Sequence, residues 1–240
     1  DTGMGRGGFL AGGIAENFAQ VAAMGSLEIE GIASHLSSAD EDEDFTWRQI
    51  RSFGESVALL GGPERFRWRH LSNSAGILGY PAGCLNLARP GLILYGISPI
   101  PAFQCSLKNV MSLKSRVTLV RTLPAGHGVS YGRSFVTTRP TRIATVGIGY
   151  GDGYPRHLSG KGAEVFIRGE KHPLLGRVTM DQIMVELPDD SDVCCGDEVE
   201  LFGPHIPVAQ VAAQAGTIAW EILTGITPRV QRIYLPENGA

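Results

Sequence analysis

Phe66-Arg67-Trp68-Arg69-His70-Leu71 runs directly into Ser72-Asn73-Ser74-Ala75-Gly76, and the reading of that join decides the fold of the first hundred residues. The first six residues favour an extended strand, and the small and polar residues after them stop a strand and suit a helix start. Upstream, Leu27–His35 (LEIEGIASH) alternates apolar and polar residues, the period of a half-buried strand. The Ser-rich, acidic stretch Ser37–Asp44 then offers side-chain caps and acids for the positive end of a helix spanning about Phe45–Leu60. Gly61-Gly62-Pro63 stops that helix. Downstream, Cys84–Ala88 and Leu92–Tyr95 read as further strands on either side of Arg89-Pro90-Gly91. Strand, helix and strand at this spacing predict parallel βα units.

Past the loop Gly96–Cys105 the texture changes. Strand candidates crowd together at Ser112–Leu123, Thr141–Tyr150, Ala163–Arg168, Lys171–Leu175, Ile183–Leu187 and Glu198–Phe202, with a hairpin turn at Arg168-Gly169-Glu170-Lys171. Short helices are expected at Pro207–Ala215 and Ile218–Leu223. The chain therefore divides between Gly96 and Ser106 into an α/β part, residues 1–100, and an all-β domain, residues 106–240.

A formal charge of -3 and the absence of any dense Lys/Arg run argue against nucleic acid and against a membrane surface as partners. No apolar run reaches membrane-spanning length, and no signal peptide is legible. Cys84, Cys105, Cys194 and Cys195 form neither a CxxC motif nor a disulfide framework, which suits reduced thiols in a cytoplasmic protein. The six histidines lack metal-ligand spacing, so no metal is expected.

In a parallel barrel, functional residues gather where strands end. His35, the pair Asn73-Ser74, and Arg89 with Gly91 hold such positions. The Asn73-Ser74 turn presents N–H groups and a hydroxyl to an anion, yet it equally has the form of an ordinary strand-to-helix turn. His35 reads also as a hydrogen-bonded structural histidine, and Arg89 also as a barrel-end ion pair. Three Gly-rich loops occupy the β half: Gly126–Gly132 around Tyr131, Gly147–Tyr154 around Tyr150, and Gly176–Gln182 with Met180 and Asp181. Each alone is consistent with a tight β-corner.

Their order and wording carry more than any one of them. DTGMGRGGF, SHLSSADE, NSAGIL, LARPGLILYG, GVSYGRSF, IGYGDGYPRHLSGKG, LLGRVTMDQIMVELP and AGTIAWEILTGITPRVQRIY, in that order, resemble successive signatures of the alanine racemases from residue 1 to about 235. The resemblance implies the C-terminal part of a (β/α)8 TIM barrel followed by a β-domain, in a homodimer whose active sites are shared between subunits. It implies pyridoxal 5'-phosphate, held as a Schiff base by a lysine on the first barrel strand. It also implies a two-base interconversion of L- and D-alanine that supplies peptidoglycan.

Carried over residue by residue, the resemblance makes Tyr131 one base, reaching the partner subunit's site. A hydrogen-bonded chain through His35 to Arg89 supports it, and Arg89 also faces the pyridine nitrogen. Ser74 and Asn73, with the backbone at Gly91 and Leu92, belong to the phosphate site, and Arg6 lies near the cofactor oxygen and the substrate carboxylate. Met180, Asp181, Tyr150 and Arg156 shape the entrance and recognise the substrate; the alternative is that these four only brace the domain. A racemase of another small amino acid such as serine, or a non-catalytic pyridoxal-phosphate carrier, are the rival readings.

Two departures stand out. The family's carbamylated lysine would fall two residues before Asp1, and Pro228 replaces a tyrosine that touches phosphate in some members, leaving Arg229 beside it as a structural ion pair or a site residue. A whole barrel needs about 250 residues, so the chain is expected to be a fragment lacking the cofactor lysine. Lys108, Lys114, Lys161 and Lys171 are its only lysines, and none lies in the family's lysine motif. Made alone, the chain is expected to be inactive and poorly soluble.

Overall fold

A computed structural model describes residues 1–235 and divides the chain into two compact units, Asp1–Val110 and the residues from Met111 onward. The first unit contains α1 (Ile14–Ala22), β1 (Gly31–Ala33), α2 (Glu43–Leu59), β2 (Trp68–His70) and α3 (Ser74–Gly79). The strands are far shorter than the apolar runs that announce them, but they pair in parallel, with Ala33 opposite His70. That register sets the two strand ends side by side.

Helix α2 begins where the acidic stretch predicts a start. The Asp42 carboxylate accepts the Phe45 N–H at 2.8 Å, and Glu43 and Asp44 occupy the first turn, so orphan donors and the helix dipole are both answered. The helix ends at Leu59, ahead of Gly61 and Gly62, whose φ values of 106° and 90° a side chain would resist. Its inner face buries Phe53 and Val57 against Leu36, Leu60, Phe66 and Leu71. Gln49 is buried yet satisfied: its carbonyl accepts from Ser37 N at 3.0 Å, and its amide donates to His35 O at 3.0 Å. This side chain fixes the loop that follows β1.

Two expected strands do not form. Cys84–Ala88 lies alongside β2 without a ladder, because the Asn86 side chain takes the ladder's place. Its carbonyl accepts from Arg69 N at 2.7 Å and its amide donates to Arg67 O at 2.8 Å. One side chain thus occupies the backbone groups that a neighbouring strand would need. Leu92–Tyr95 is a 3-10 turn, closed by Gly96 at φ 76°. A Cβ on Gly96 would stand 1.7 Å from Lys108 O, so the chain can turn there only at glycine.

The second unit is built on β3 (Leu113–Leu123), β4 (Gly128–Val129), β5 (Phe135–Val136), β6 (Thr141–Val146), β7 (Glu164–Ile167), β8 (Glu170–Leu175), β9 (Ile183–Leu187) and β10 (Glu198–Phe202). Six of these close into an antiparallel barrel in the order β10-β3-β6-β9-β8-β7, which leaves it no open edge. Alternate residues point inward, as Val165 and Ile167 on β7 and Ile183, Val185 and Leu187 on β9 show by being buried. The expected hairpin joins β7 to β8 through Arg168 and Gly169 at φ 47° and 94°, the positive pair of a two-residue turn. Helices α4 (Val208–Ala215) and α5 (Ala219–Gly225) follow. The small β4–β5 hairpin inside the β3–β6 connection has too few residues to be seen as strands in the sequence.

Candidate functional site

In the first unit the guanidinium of Arg89 holds the ends of both strands. Its Nη2 donates to Ser34 O at 2.7 Å and to Leu71 O at 3.2 Å, the carbonyls just beyond β1 and β2. It also meets His35 Nδ1 at 3.1 Å, and Nη1 meets His70 Nδ1. Arginine only donates, so both Nδ1 atoms are acceptors and both imidazoles are neutral with their proton on Nε2. Burial and then the Arg89 charge hold His35 and His70 below the usual imidazole value of 6.5, and Arg6 adds to the effect at His35. The Nε–H of Arg89 is not consumed by any of these bonds.

A stability consequence follows. Below 6.5 the unfolded chain protonates these imidazoles while the folded chain resists. Between the folded and unfolded values the unfolded state therefore binds more protons, and stability falls as pH drops through that window. Imidazole Cε1–H titrations by NMR should give midpoints below 6.5 for both residues, with urea midpoints declining from pH 7.5 to about 5.5. Midpoints at or above 6.5 would contradict the neutral pair.

Beside this network, Ser74 is buried and its Oγ accepts from Gly91 N at 3.0 Å and Ile93 N at 3.5 Å. Its own proton is left for a further acceptor. Asn73 caps α3 by accepting from Gly76 N at 3.0 Å, and its amide donates to Leu36 O at 2.9 Å. Its polar atoms thus brace the turn, while Ser74 supplies the hydroxyl. Leu92 is buried at the start of the 3-10 turn. Arg6, Ser34, His35, His70 and Arg89 line one cavity of about 610 Å³ together with apolar residues such as Phe18 and Ile32.

In the second unit the three Gly-rich loops come together. Tyr150 N donates to Thr179 O at 3.0 Å, and Gly151 N donates to Met180 O at 2.9 Å. A Cβ on Gly149 would fall 2.2 Å from Thr179 O, so only glycine lets these backbones zip. Tyr150, Met180 and Asp181 are thereby gathered on one exposed surface. Arg229 clamps it, pairing with Asp181 at 2.6 Å and with Asp152 at 3.4 Å. The structural reading of Arg229 is the one the geometry favours, and the Asp181 carboxylate is committed to it. Arg156 is exposed, with no side-chain hydrogen bond among the described residues.

The third loop joins the first through Ser130, whose Oγ donates to Arg177 O at 2.6 Å. Tyr131 follows, 68% exposed, at the tip between β4 and β5. Ser130 lies at φ 62°, ψ -179°, a region almost reserved for glycine, and Arg133 lies at φ 46°. Strain of this kind costs roughly 1–3 kcal/mol per residue and concentrates at functional sites. His70, Ser130, Asp152 and Arg177 were not among the sequence candidates. His70 ends the very strand quoted first, so the strand-end argument that selected His35 applies equally to it.

Residues 1–99 match the family described as alanine racemase, N-terminal domain, and residues 110–234 match alanine racemase, C-terminal domain. The alanine racemase of Symbiobacterium thermophilum is 40% identical over 242 residues, covering 98% of this chain and 64% of that protein. The crystal structure of alanine racemase from Bacillus anthracis with bound L-Ala-P superposes with a TM-score of 0.90 at 34% identity, over 100% of this chain and 64% of that one. That from Bartonella henselae, with covalently bound pyridoxal phosphate, gives 0.87 at 36% identity, over 98% and 65%. The chain thus spans a little under two thirds of these relatives.

An α/β unit whose strand ends are tied by an arginine, followed by a closed antiparallel barrel, defines the class of two-domain proteins to which this chain is similar throughout. Within that class, the chain belongs to the alanine racemase family.

Proposed function

We propose that residues 1–240 are the C-terminal part of a pyridoxal-phosphate-dependent racemase that interconverts L- and D-alanine. The observation that carries this reading is the Arg89 network, which ties two strand ends and two neutral histidines through Nη1 and Nη2 and leaves the Nε–H uncommitted. In this reading the first unit supplies the last strands of a (β/α)8 barrel, residues 1–100, and the β-domain, residues 106–240, follows. The protein works in the cytoplasm as a homodimer, with Tyr131 entering the partner subunit's site.

The residues present fit pyridoxal phosphate. A phosphate needs donors: the Ser74 hydroxyl proton, the Ser74 and Ala75 N–H groups opening α3 and the Leu92 N–H provide them. The Gly91 and Ile93 N–H groups are instead taken up by Ser74 Oγ and orient that hydroxyl. A pyridine nitrogen needs a donor, and Arg89 Nε–H provides one without giving up its proton. When bound, the cofactor supplies the electron sink that makes an amino acid's α-proton removable. Arg89 keeps that sink weak, which favours returning the proton over side reactions.

Tyr131 removes or returns the α-proton on one face. A phenol with pKa near 10 needs help to do so at neutral pH. His35 is the positioning residue whose Nε2–H gives that help, held in its tautomer by Arg89. Arg6 meets the substrate carboxylate. Tyr150, Met180, Asp181 and Arg156 form the entrance, with Asp181 acting through Arg229. The opposite-face base, a lysine in this family, lies outside residues 1–240 in this reading.

The test is racemisation followed by circular dichroism. The polypeptide joining residues 1–240 to its lysine-bearing segment should racemise L-alanine with added pyridoxal phosphate, faster than L-serine, and residues 1–240 alone should not. Faster turnover of serine, or activity in the isolated chain, would overturn the assignment.

A further inference from the structure

The backbone at Tyr131 is held in place from outside its own hairpin. Ser130 and Arg133, on either side of Tyr131-Gly132, both have positive φ. Such a turn relaxes unless something overdetermines it. Two contacts do, and both come from Arg177 on the Gly176–Gln182 loop. Its carbonyl accepts the Ser130 hydroxyl at 2.6 Å. Its guanidinium lies against Gly132, where an added Cβ would stand 3.2 Å from Cζ. Gly176 completes the fit: a Cβ there would stand 2.8 Å from Val129 O and from the Ser130 Cβ. The same loop, through Thr179 O and Met180 O, holds Tyr150 and Gly151. One segment therefore sets both the tyrosine turn and the surface around Met180.

We infer that Ser130 is a positioning residue for proton transfer by Tyr131, acting through the carbonyl of Arg177. This rests on the racemase reading above and deepens it. The Ser130 hydroxyl touches no reacting atom; it holds the turn in a conformation that serine itself disfavours. A phenol displaced by about 1 Å loses on the order of 10²-fold in rate, and the loss falls only on the face that Tyr131 serves.

The experiment uses the full-length protein and the variants Ser130→Ala and Ser130→Gly. Alanine removes the hydroxyl and keeps the strain, whereas glycine removes both. In the unliganded protein, amide hydrogen exchange over residues 128–136 should quicken in Ser130→Ala by tenfold or more, with the melting temperature of the barrel unchanged. In D2O, Ser130→Ala should lose on the order of 10²-fold in α-proton exchange from one alanine enantiomer and keep wild-type exchange from the other, with KM unchanged; Ser130→Gly should fall between. Wild-type exchange protection in Ser130→Ala, or equal losses with both enantiomers, would overturn the inference. A wild-type protein that racemises nothing would instead sink the functional reading, and the amide exchange would still decide whether Ser130 holds the turn.

Discussion

Arg89→Met should destabilise the first unit by about 2–3 kcal/mol, the scale of losing hydrogen bonds to a charged donor, and should raise the titration midpoints of both His35 and His70. The guanidinium serves four acceptors on two strands: Ser34 O, Leu71 O and the two Nδ1 atoms. Methionine has similar bulk and no donor, so the carbonyls and imidazoles must turn to water. Since the site is only partly buried, water recovers some of the loss, which keeps the figure well below that for a sealed ion pair. The imidazoles would rise because the Arg89 charge is removed, although burial, the larger cause, remains. Arg89→Lys separates charge from shape. A lysine keeps the positive charge but lacks the planar fork, so it should hold the histidine midpoints down without restoring stability. Urea unfolding and imidazole NMR read the two effects independently. A stable Arg89→Met protein with unmoved histidines would show that the network is incidental to both.

The strands of the β-domain were legible in the sequence because their signals are local, whereas their closure into a barrel rests on pairings between distant strands and was not. Alternation along β7 and β9 and the Arg168-Gly169 turn depend on neighbours a few residues away, and five of the six strands follow the expected runs closely. β6 stops at Val146, short of the expected Tyr150, because the glycine-rich loop there packs against Thr179 and Met180 instead of continuing the ladder. The first unit was less legible for an equally physical reason. Cys84–Ala88 has a strand's composition, but the Asn86 side chain takes up the edge of β2 from a distance of 17 and 19 residues. No window along the chain contains that competition. The site divides in the same way. Strand-end placement pointed to His35, Ser74 and Arg89, whereas the glycine loops meant little until Gly149 and Gly151 were seen against Thr179 and Met180. His70 ends β2 as His35 lies just past β1, so the same strand-end rule reaches both. The commitment of Asp181 to Arg229 joins residues 48 apart and has no sequence signal.

Tyr131→Phe should lower racemisation by about 10²–10⁴-fold, the usual contribution of one acid–base group, and leave stability unchanged within about 0.5 kcal/mol, the usual scatter for an exposed position. The two halves of that statement rest on separate facts. The residue is 68% exposed within one chain, so removing one oxygen opens no cavity and breaks no contact there, and in the proposed homodimer it gives up only the His35 Nε2–H. The turn that carries it is nevertheless strained, and strain is retained where geometry matters more than stability. If Tyr131 is the base for one face only, the phenylalanine variant should still exchange the α-proton of the other enantiomer at a wild-type rate, without inverting it. Deuterium incorporation followed by chiral analysis of recovered alanine measures both. Equal loss with both enantiomers would assign the phenol to orientation of the substrate. No loss at all would remove Tyr131 from the chemistry and leave its strained turn unexplained.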